Sequence, residues 1–458
     1  MMTLKIKKLL NLTLASMILC SGLTGIVYSQ TKLFTLEEAI NLAVKNNGDA
    51  QVARLVVKKS EAAVSEAYGT AMPSVNFSAG YTYNILKPAF FMTDPMDSTH
   101  KRLAKLEIGA TNQFATTASV SQILFNSAVF TAIGTSKIFY NASKETFKSS
   151  ITKVVSNTTK AFYGVLLSKE VVKVFETVKA NANNNLNTVQ ALFAEGYIPE
   201  YDKIRAEIGV QLIDPELTGA KMRYENSLSY LKMALGLDIR TDIEAIGDIS
   251  LDENFKMIED SVNRMIGNLN YDLRSLDLQK KVLKDIVSMR ESEYYPTISL
   301  FGQYQFSGQS NTWDYSKSSI STSAVGINLS LSLFQGFQSN ARVQQAKIDF
   351  MSMDVKYTQV EEAMKTQLQV AFNKMAVARE KVKSLSGSVI TAKRGYEIAE
   401  IRYKEGAGSQ VEINDASTSV VQINMNYLQA VYEYIDAVVD IKGILGDVPN
   451  KYLTEFDK

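Results

Sequence analysis

Side chains that perform covalent or metal chemistry are scarce in this chain. Its 458 residues include one histidine, His100, and one cysteine, Cys20. A Ser/His/Asp triad requires a histidine beside the nucleophile, and histidine-built metal sites need several such ligands. The sequence also contains no phosphate-binding loop and no cluster of metal ligands. These observations predict a protein that is not an enzyme, with no catalytic residues, no cofactor and no metal.

The bulk composition limits the partners and the architecture. Lys and Arg number 49 and Asp and Glu number 48, which leaves a formal net charge of +1. Proteins that bind nucleic acid by neutralising its phosphates carry a basic excess, so no nucleic-acid partner is expected. Only 7 prolines and 24 glycines interrupt the chain, and this scarcity predicts long, unbroken elements.

The N-terminus is typical of a secretory signal peptide that spans residues 1–29. Lysines precede an apolar run at 9–19, and residues 27–29 offer a cleavage site before Gln30. Cys20 follows a bulky leucine where a lipoprotein signal needs a small residue, so we interpret it as part of the discarded segment. No later apolar run reaches the roughly 18 residues of a membrane-spanning helix, so any membrane insertion is expected to use strands.

The chain divides into two halves with the same order of features. Three landmark pairs recur about 210 residues apart: Leu124-Phe125 and Leu333-Phe334, Glu195-Gly196 and Glu405-Gly406, and Leu235-Gly236 and Leu445-Gly446. The first repeat is predicted over 30–250, with strands within 73–125 and a turn at 195–200. The second is predicted over 251–458, with strands within 296–334 and a turn at 405–410.

Four segments alternate apolar and polar residues with a period of two, which predicts strands long enough to cross a membrane. They are Ser74–Asn84, Gln113–Ser121, Thr297–Phe306 and Ala324–Leu333. Their polar faces are small and uncharged, with Phe301 as an exception to the alternation. A soluble sandwich also alternates, but uncharged polar faces favour a water-filled lumen opposite lipid. A charge at Leu329, placed near the membrane midplane, is then expected to cost roughly 2–4 kcal/mol per copy.

Aromatic residues lie towards the ends of the predicted strands. The candidates for an interfacial girdle are Tyr81, Tyr83, Tyr304, Trp313 and Tyr315. Such girdles mark the two membrane–water interfaces, so these residues support the membrane interpretation. Trp313 is equally consistent with an anchor for its loop.

Long helices account for most of the remaining chain. From Val343 to Tyr403, apolar residues recur at alternating steps of three and four, which is coiled-coil spacing. A helix of about 65 residues would extend roughly 100 Å. The first half matches it with a helix over Asn126–Ala194. Shorter helices are predicted at Leu36–Met72, Tyr201–Leu235 (which Pro215 should kink or restart), Asn254–Tyr294 and Val411–Leu445.

Four strands per chain are too few to close a barrel. A sheet in lipid leaves no free edge, because unpaired backbone groups in hydrocarbon cost several kcal/mol each. About eight strands is the practical minimum for closure, so at least two copies are needed, and three would provide twelve strands. The sequence therefore predicts an oligomeric tube.

Several motifs resemble the TolC-type outer membrane efflux family. They are FTLEEAINLAVKNN at 34–47, AMPSVNFSAG at 71–80, RYKEG at 402–406 and the closing Leu445-Gly446. The resemblance covers essentially the whole mature chain in both repeats. It implies a mixed α and β fold, in which long antiparallel coiled-coil helices form a periplasmic α-barrel. Four strands per protomer would contribute to a trimeric, twelve-stranded transmembrane β-barrel.

The same resemblance implies a function and partners. A homotrimer in the cell outer membrane, in contact with its lipid and extending into the periplasm, would conduct substrates to the outside. A periplasmic adaptor (membrane fusion) protein would link it to an inner-membrane pump of the RND, ABC or MFS type, in multidrug efflux or type I secretion. The alternative is a trimeric, membrane-anchored coiled-coil stalk or adhesin without transport. Stalks of that kind usually carry one barrel segment at one end, whereas strand pairs recur here in each repeat.

The resemblance also assigns residues at the periplasmic tip, beside the two glycine turns. Glu412 and Asp415 correspond to an acidic ring at the entrance, and Tyr403 with Asp202 to an entrance latch. Three copies of the acidic pair around a narrow axis would attract cations. An alternative is that acidic residues in a first helical turn only complement the helix dipole. Tyr403 is likewise consistent with a final seam residue of the coiled coil.

The tip turns are assigned to Gly196, Gly406 and Gly408. The best-known member of the family has an arginine two residues after the turn glycine, where this chain has Gly408. A latch that uses this arginine would accordingly be weaker or differently built here.

Overall fold

The computed structural model describes residues 32–93, 96, 103–249 and 266–456. The predicted signal peptide at 1–29, Cys20 and His100 lie outside these residues. Within the described part of the chain, no helix is both long and apolar enough to cross a membrane.

Helices dominate the described residues. They are α1 (Leu36–Asn46), α2 (Gly48–Thr70), α3 (Ser127–Ala194), α4 (Glu200–Leu235), α5 (Tyr271–Glu291), α6 (Gln338–Lys404) and α7 (Gln410–Leu445). Helices α3 and α6 contain 68 and 67 residues, as the long apolar periodicity predicts. Helix α4 runs through Pro215 without a restart. Part of the helix predicted at Asn254–Tyr294 lies outside the described residues, and its described part is mainly α5.

The strands form three sheets within the described residues. They are β1 (Lys32–Phe34), β2 (Ser74–Tyr83), β3 (Ala89–Thr93), β4 (Leu103–Glu107), β5 (Asn112–Phe125), β6 (Ile243–Ala245), β7 (Thr297–Ser310) and β8 (Ser319–Ser330). The largest sheet is antiparallel, with the order β2-β5-β7-β8. Strands β3 and β4 form an antiparallel ribbon, and β1 pairs with β6 in parallel. The mixed α and β fold with four strands in one sheet is therefore confirmed.

The described residues separate into two compact units. The first unit contains residues 32–47, 154–249 and 374–439, and the second contains residues 48–93, 96, 103–153, 266–373 and 440–456. Each unit thus draws on both predicted repeats. The repeat boundaries themselves stay a prediction.

The strand register of the second unit joins the four predicted apolar faces into one. Val75 pairs with Val120, Val120 with Gly302, and Gly302 with Val325. Paired residues of an antiparallel sheet project from the same face, and the period of two repeats this along each strand. The apolar sets of all four strands consequently share one face, and the small polar sets share the other.

The last strand is displaced from its predicted position. Strand β8 covers Ser319–Ser330 rather than Ala324–Leu333, because it pairs with β7 from Thr297 to Gly308. Leu329 is therefore next to the end of the strand, and Val325 lies near its middle. The prediction that Leu329 is central in its strand is wrong, and Val325 is the central residue on the apolar face.

Two short strand pairs were not predicted. Strands β1 and β6 contain three residues each, too few to show a periodicity, and they meet only through parallel pairing of distant segments. Strands β3 and β4 lie within the predicted loop, where the consecutive apolar residues Phe90, Phe91 and Met92 obscure any alternation. Both pairs depend on contacts that a local pattern cannot reveal.

The predicted helix over Leu36–Met72 is two helices. Asn47 follows α1 in an extended conformation, with φ of −59° and ψ of 136°. Its side-chain amide donates to the Ala234 carbonyl at 3.0 Å, which ties the end of α1 to the end of α4. A capping box of Thr35 and Glu38 starts α1, and it explains the first residues of the family motif.

The coiled-coil seam predicted for α6 is confirmed by burial. Its predicted members, such as Leu368, Ala378 and Val382, are all buried or half-buried. In the first unit, two ion pairs show the register of the α6–α7 hairpin: Lys381 with Glu433 at 3.1 Å and Arg402 with Glu412 at 3.4 Å. As the residue number increases along α6, the number of the paired residue on α7 decreases, so the two helices are antiparallel.

Glycines with positive φ end the helices at equivalent points of the two repeats. They are Gly196, Gly236, Gly406 and Gly446, with φ of 79°, 67°, 74° and 67°. Each donates to a carbonyl three residues back, and the next residue donates five residues back. This pairing is the Schellman motif, in which a left-handed residue satisfies the last helical carbonyls.

We expect Gly236→Ala to destabilise the protein more than Gly196→Ala. The left-handed conformation costs a non-glycine residue roughly 1–2 kcal/mol at either position. A Cβ at Gly236 would also lie 2.5 Å from the Asn46 carbonyl oxygen, whereas Gly196 has open space. The forced backbone shift should add about 1–3 kcal/mol. Thermal unfolding followed by circular dichroism measures the difference, and equal shifts for both variants would contradict it.

Candidate functional site

The candidate site lies in the first unit, at the two turns that connect α3 to α4 and α6 to α7. Gly196 and Gly406 occupy equivalent positions, and each donates its backbone N–H to the carbonyl three residues back, at 2.9 and 3.0 Å. Gly408 has a different requirement: a Cβ there would lie 3.0 Å from the Tyr403 backbone nitrogen. The three predicted turn glycines thus all lie in tight turns, for two different reasons.

Glu412 and Asp415 lie three residues apart at the start of α7, and both side chains are exposed. Ser409 caps this helix, since its hydroxyl accepts from the Glu412 backbone N–H at 3.3 Å. Glu412 is in the first turn, where a negative charge also complements the helix dipole. The structure therefore brings the two predicted acidic residues together without deciding between ring and cap.

Arg402 adds a positive charge that sequence reasoning missed. One guanidinium nitrogen lies 3.4 Å from a Glu412 carboxylate oxygen, and another donates to the Ala407 carbonyl at 3.0 Å. Arg402 therefore offsets the charge of Glu412 and leaves Asp415 as the less compensated acid. Arg402 is part of the RYKEG motif, but only the hairpin register reveals that it faces Glu412.

Tyr403 is buried in a cluster to which all four tip helices contribute. Its members are Val189, Ala206, Tyr396, Ala399, Tyr403 and Ile413. Within the described residues, the Tyr403 hydroxyl has no hydrogen-bond partner. Burial raises the pKa of Tyr403, and the negative charge of nearby Asp202 raises it further. The structure thus places the two predicted latch residues close together without a hydrogen bond between them.

Tyr396 lies about two turns before Tyr403 on the same seam. Burial raises the pKa of Tyr396 to about 12, with a smaller contribution from Glu400. Both tyrosines are therefore neutral at physiological pH, and the cluster is uncharged.

A cleft of about 560 Å³ lies beside this cluster in the first unit. Helices α3, α4, α6 and α7 line it with side chains that include Phe175, Tyr201, Leu212, Tyr396 and Asn414. Tyr201, Ile204, Ile208 and Leu212 form an exposed apolar stripe of α4 along the cleft, with Tyr201 and Leu212 59% and 68% exposed. In the ranges that the structure describes, no group of three or more His, Cys, Asp and Glu side chains could hold a metal ion.

Comparison with known proteins connects this geometry to a family. A profile of the outer membrane efflux protein family matches residues 39–237 and 266–447, which is most of the chain and includes both turns. The chain belongs to the outer membrane efflux protein family.

Relatives and solved structures of this family are similar along most of their length. The outer membrane protein TolC of Escherichia coli (strain K12) is 20% identical over 398 residues, covering 84% of this chain and 76% of TolC. TolC of Vibrio cholerae is 20% identical over 436 residues, covering 93% of this chain and 94% of that protein. The Campylobacter jejuni CmeC outer membrane channel has the same fold, with a TM-score of 0.75, 21% identity and coverage of 90% and 85%.

Membership in the outer membrane efflux protein family has direct consequences. The protein is a TolC-like outer membrane efflux channel that spans the outer membrane and the periplasm. It is a non-enzymatic transporter. The family implies a trimeric channel that works with efflux pumps.

Proposed function

We propose that three copies of this chain close a twelve-stranded barrel and export cargo received from an inner-membrane pump through a periplasmic adaptor. The observation that carries this proposal is the pair of outer strands in the main sheet. Within the described residues, β2 and β8 each hydrogen-bond to a strand on one side only. They contain 10 and 12 residues.

These outer strands lack the features that keep sheet edges apart. Soluble proteins protect such edges with charged residues, prolines or bulges, because unpaired backbone groups recruit other strands. Neither β2 nor β8 contains a charged residue or a proline. Pairing of β8 with β2 of the next copy would satisfy both edges, and in lipid this pairing is obligatory.

The apolar face of the sheet supports contact with lipid. Val75 and Phe77 are each 74% exposed, and Val325 is 82% exposed. Such an exposed apolar face is unfavourable in water, and acyl chains would cover it. The opposite face, rich in Ser, Thr, Asn and Gln, would then line the water-filled lumen.

Aromatic side chains gather at the end of the sheet where β7 turns into β8. Trp313 stacks on Tyr81 with ring centroids 5.3 Å apart, and Tyr315 packs edge-on against Phe114 at 4.9 Å. Aromatic residues favour the membrane–water interface. We therefore assign this end of the sheet to the outer interface, with Trp313 both in the girdle and anchoring its loop.

At the two glycine turns of the first unit, we propose that Glu412 and Asp415 form the acidic entrance ring and that Tyr403 with Asp202 contributes to the latch. The turns at Gly196, Gly406 and Gly408 would shape the tip. The adaptor would dock along the exposed apolar stripe beside the cleft, and the pump would be of the RND, ABC or MFS type. The repeats over 30–250 and 251–458 would give each protomer two copies of the strand–helix–turn plan.

Single-channel recording tests the proposal most directly. Purified protein added to a planar lipid bilayer should form discrete ion-conducting pores, and its mass in detergent should equal three chains. A preparation that inserts into lipid but conducts no ions would favour a membrane-anchored stalk. A stable monomer in detergent would contradict the shared barrel.

A further inference from the structure

We infer that Phe301 forms an aromatic ring around the lumen of the barrel, where it restricts conduction and contacts planar aromatic cargo. This inference rests on the proposed function, because it takes the polar face of the sheet as the lumen. Within strands β2, β5, β7 and β8, Phe301 is the only aromatic residue on that face.

The strand register isolates Phe301 among small residues. Ser74 pairs with Ser121, Ser121 with Phe301, and Phe301 with Gly326. This row across the sheet therefore contains two small serine side chains, the Phe301 ring, and a glycine that has no side chain. No bulky neighbour in this row competes with the ring for the space above the sheet.

Gly326 provides the surface on which the ring lies. A Cβ at Gly326 would be 2.9 Å from each of two Phe301 ring atoms, so the ring occupies the place where a side chain would project. Phe301 nevertheless stays 38% exposed. One side of the ring covers the glycine backbone, and the remainder faces the water side of the sheet.

A closed trimer would multiply this feature. Phe301 is the fifth residue of β7, near the end of the sheet where the chain arrives from α5. Symmetry would set three rings at one height in the lumen, separated by the small residues of the row. A water-filled passage lined by neutral polar groups would thus contain one apolar aromatic belt. Planar aromatic cations would be held there by stacking and cation–π contact.

Bilayer recording with ethidium, a planar aromatic cation, tests this inference. Phe301→Ser should increase the unitary conductance and weaken block by ethidium about two- to fivefold, the factor expected from an exposed cation–π contact. Phe301→Leu keeps an apolar side chain of similar reach, so it should weaken the block and leave the conductance closer to that of the unchanged protein. Phe306→Leu is the matched control, because Phe306 lies on the apolar face, and it should change neither quantity.

Gly326→Ala adds an independent measurement. The new methyl group must displace the Phe301 ring, so it should change the conductance on its own but not in a Phe301→Ser background. Unaltered conductance and ethidium block in both Phe301→Ser and Phe301→Leu would overturn the inference while the channel itself stands. If the unsubstituted protein forms no pore, the proposed function fails first. The two failures are therefore distinguishable.

Discussion

Replacing Val325 by arginine is expected to prevent assembly of the protein in the outer membrane. Val325 lies near the middle of β8, on the apolar face, and is 82% exposed in one protomer. An arginine on the lipid face of a barrel costs roughly 2–4 kcal/mol near the midplane. With three copies in one barrel, this penalty is applied three times. Membrane fractionation should find little of the variant in the outer membrane, and gel electrophoresis without heating should show no trimer band.

The effect of an arginine on assembly should depend on its position along β8. Leu329 is on the same face but one residue from the end of the strand, where the cost of arginine falls to roughly 0–1 kcal/mol. Leu329→Arg should accordingly assemble better than Val325→Arg. Ala324→Arg is the control for facing, because Ala324 lies next to Val325 on the polar face and its charge would meet water. Equal assembly of Val325→Arg and Ala324→Arg would refute the assignment of the two faces.

Neutralising the acidic residues at the tip is expected to abolish most of the cation preference of the channel. Charges converging on a narrow axis raise the local concentration of counter-ions, so Glu412→Ala with Asp415→Ala should lower the cation-to-anion permeability ratio about tenfold or more. Inhibition by multivalent cations should weaken in the same variant. Reversal potentials in asymmetric salt measure the ratio.

The Arg402–Glu412 ion pair affects how the single variants compare. Glu412→Gln would leave the positive charge of Arg402, 3.4 Å from Glu412, without its partner carboxylate, so it should reduce cation preference at least as much as Asp415→Asn. Removing the positive charge with Arg402→Gln should increase cation preference. Glu380→Gln is the control: it removes an exposed acidic side chain of α6 that lies farther from the turn at Gly406, and it should leave selectivity unchanged. Permeability ratios that are identical in all these variants would reject the acidic ring, and the helix-cap interpretation of Glu412 would remain.

Much of the architecture follows from local patterns that the sequence displays. The seam residues of α6 from Ala346 to Tyr403 are buried or half-buried, as their three-and-four spacing predicts. This spacing places the apolar side chains on one face of the helix, so the pattern alone shows which face packs against other helices. Alternation likewise identified the four strands and their apolar faces, since the pleat assigns every second residue to one side. The family motifs then supplied the outer membrane location and the transport function, which the family profile supports.

Tertiary structure decided what depends on contacts between distant segments. Because of the pairing of β7 with β8, the middle of the last strand is at Val325 and not at Leu329 as predicted. Asn47, whose side chain contacts α4, separates α1 from α2 where the sequence pattern predicted one continuous helix. The placement of Arg402 against Glu412 similarly required the hairpin register. Periodicity specifies which face of an element is apolar, but register and close approach arise from long-range packing. The sequence by itself determined the elements and their faces, and the fold alone determined which residues meet.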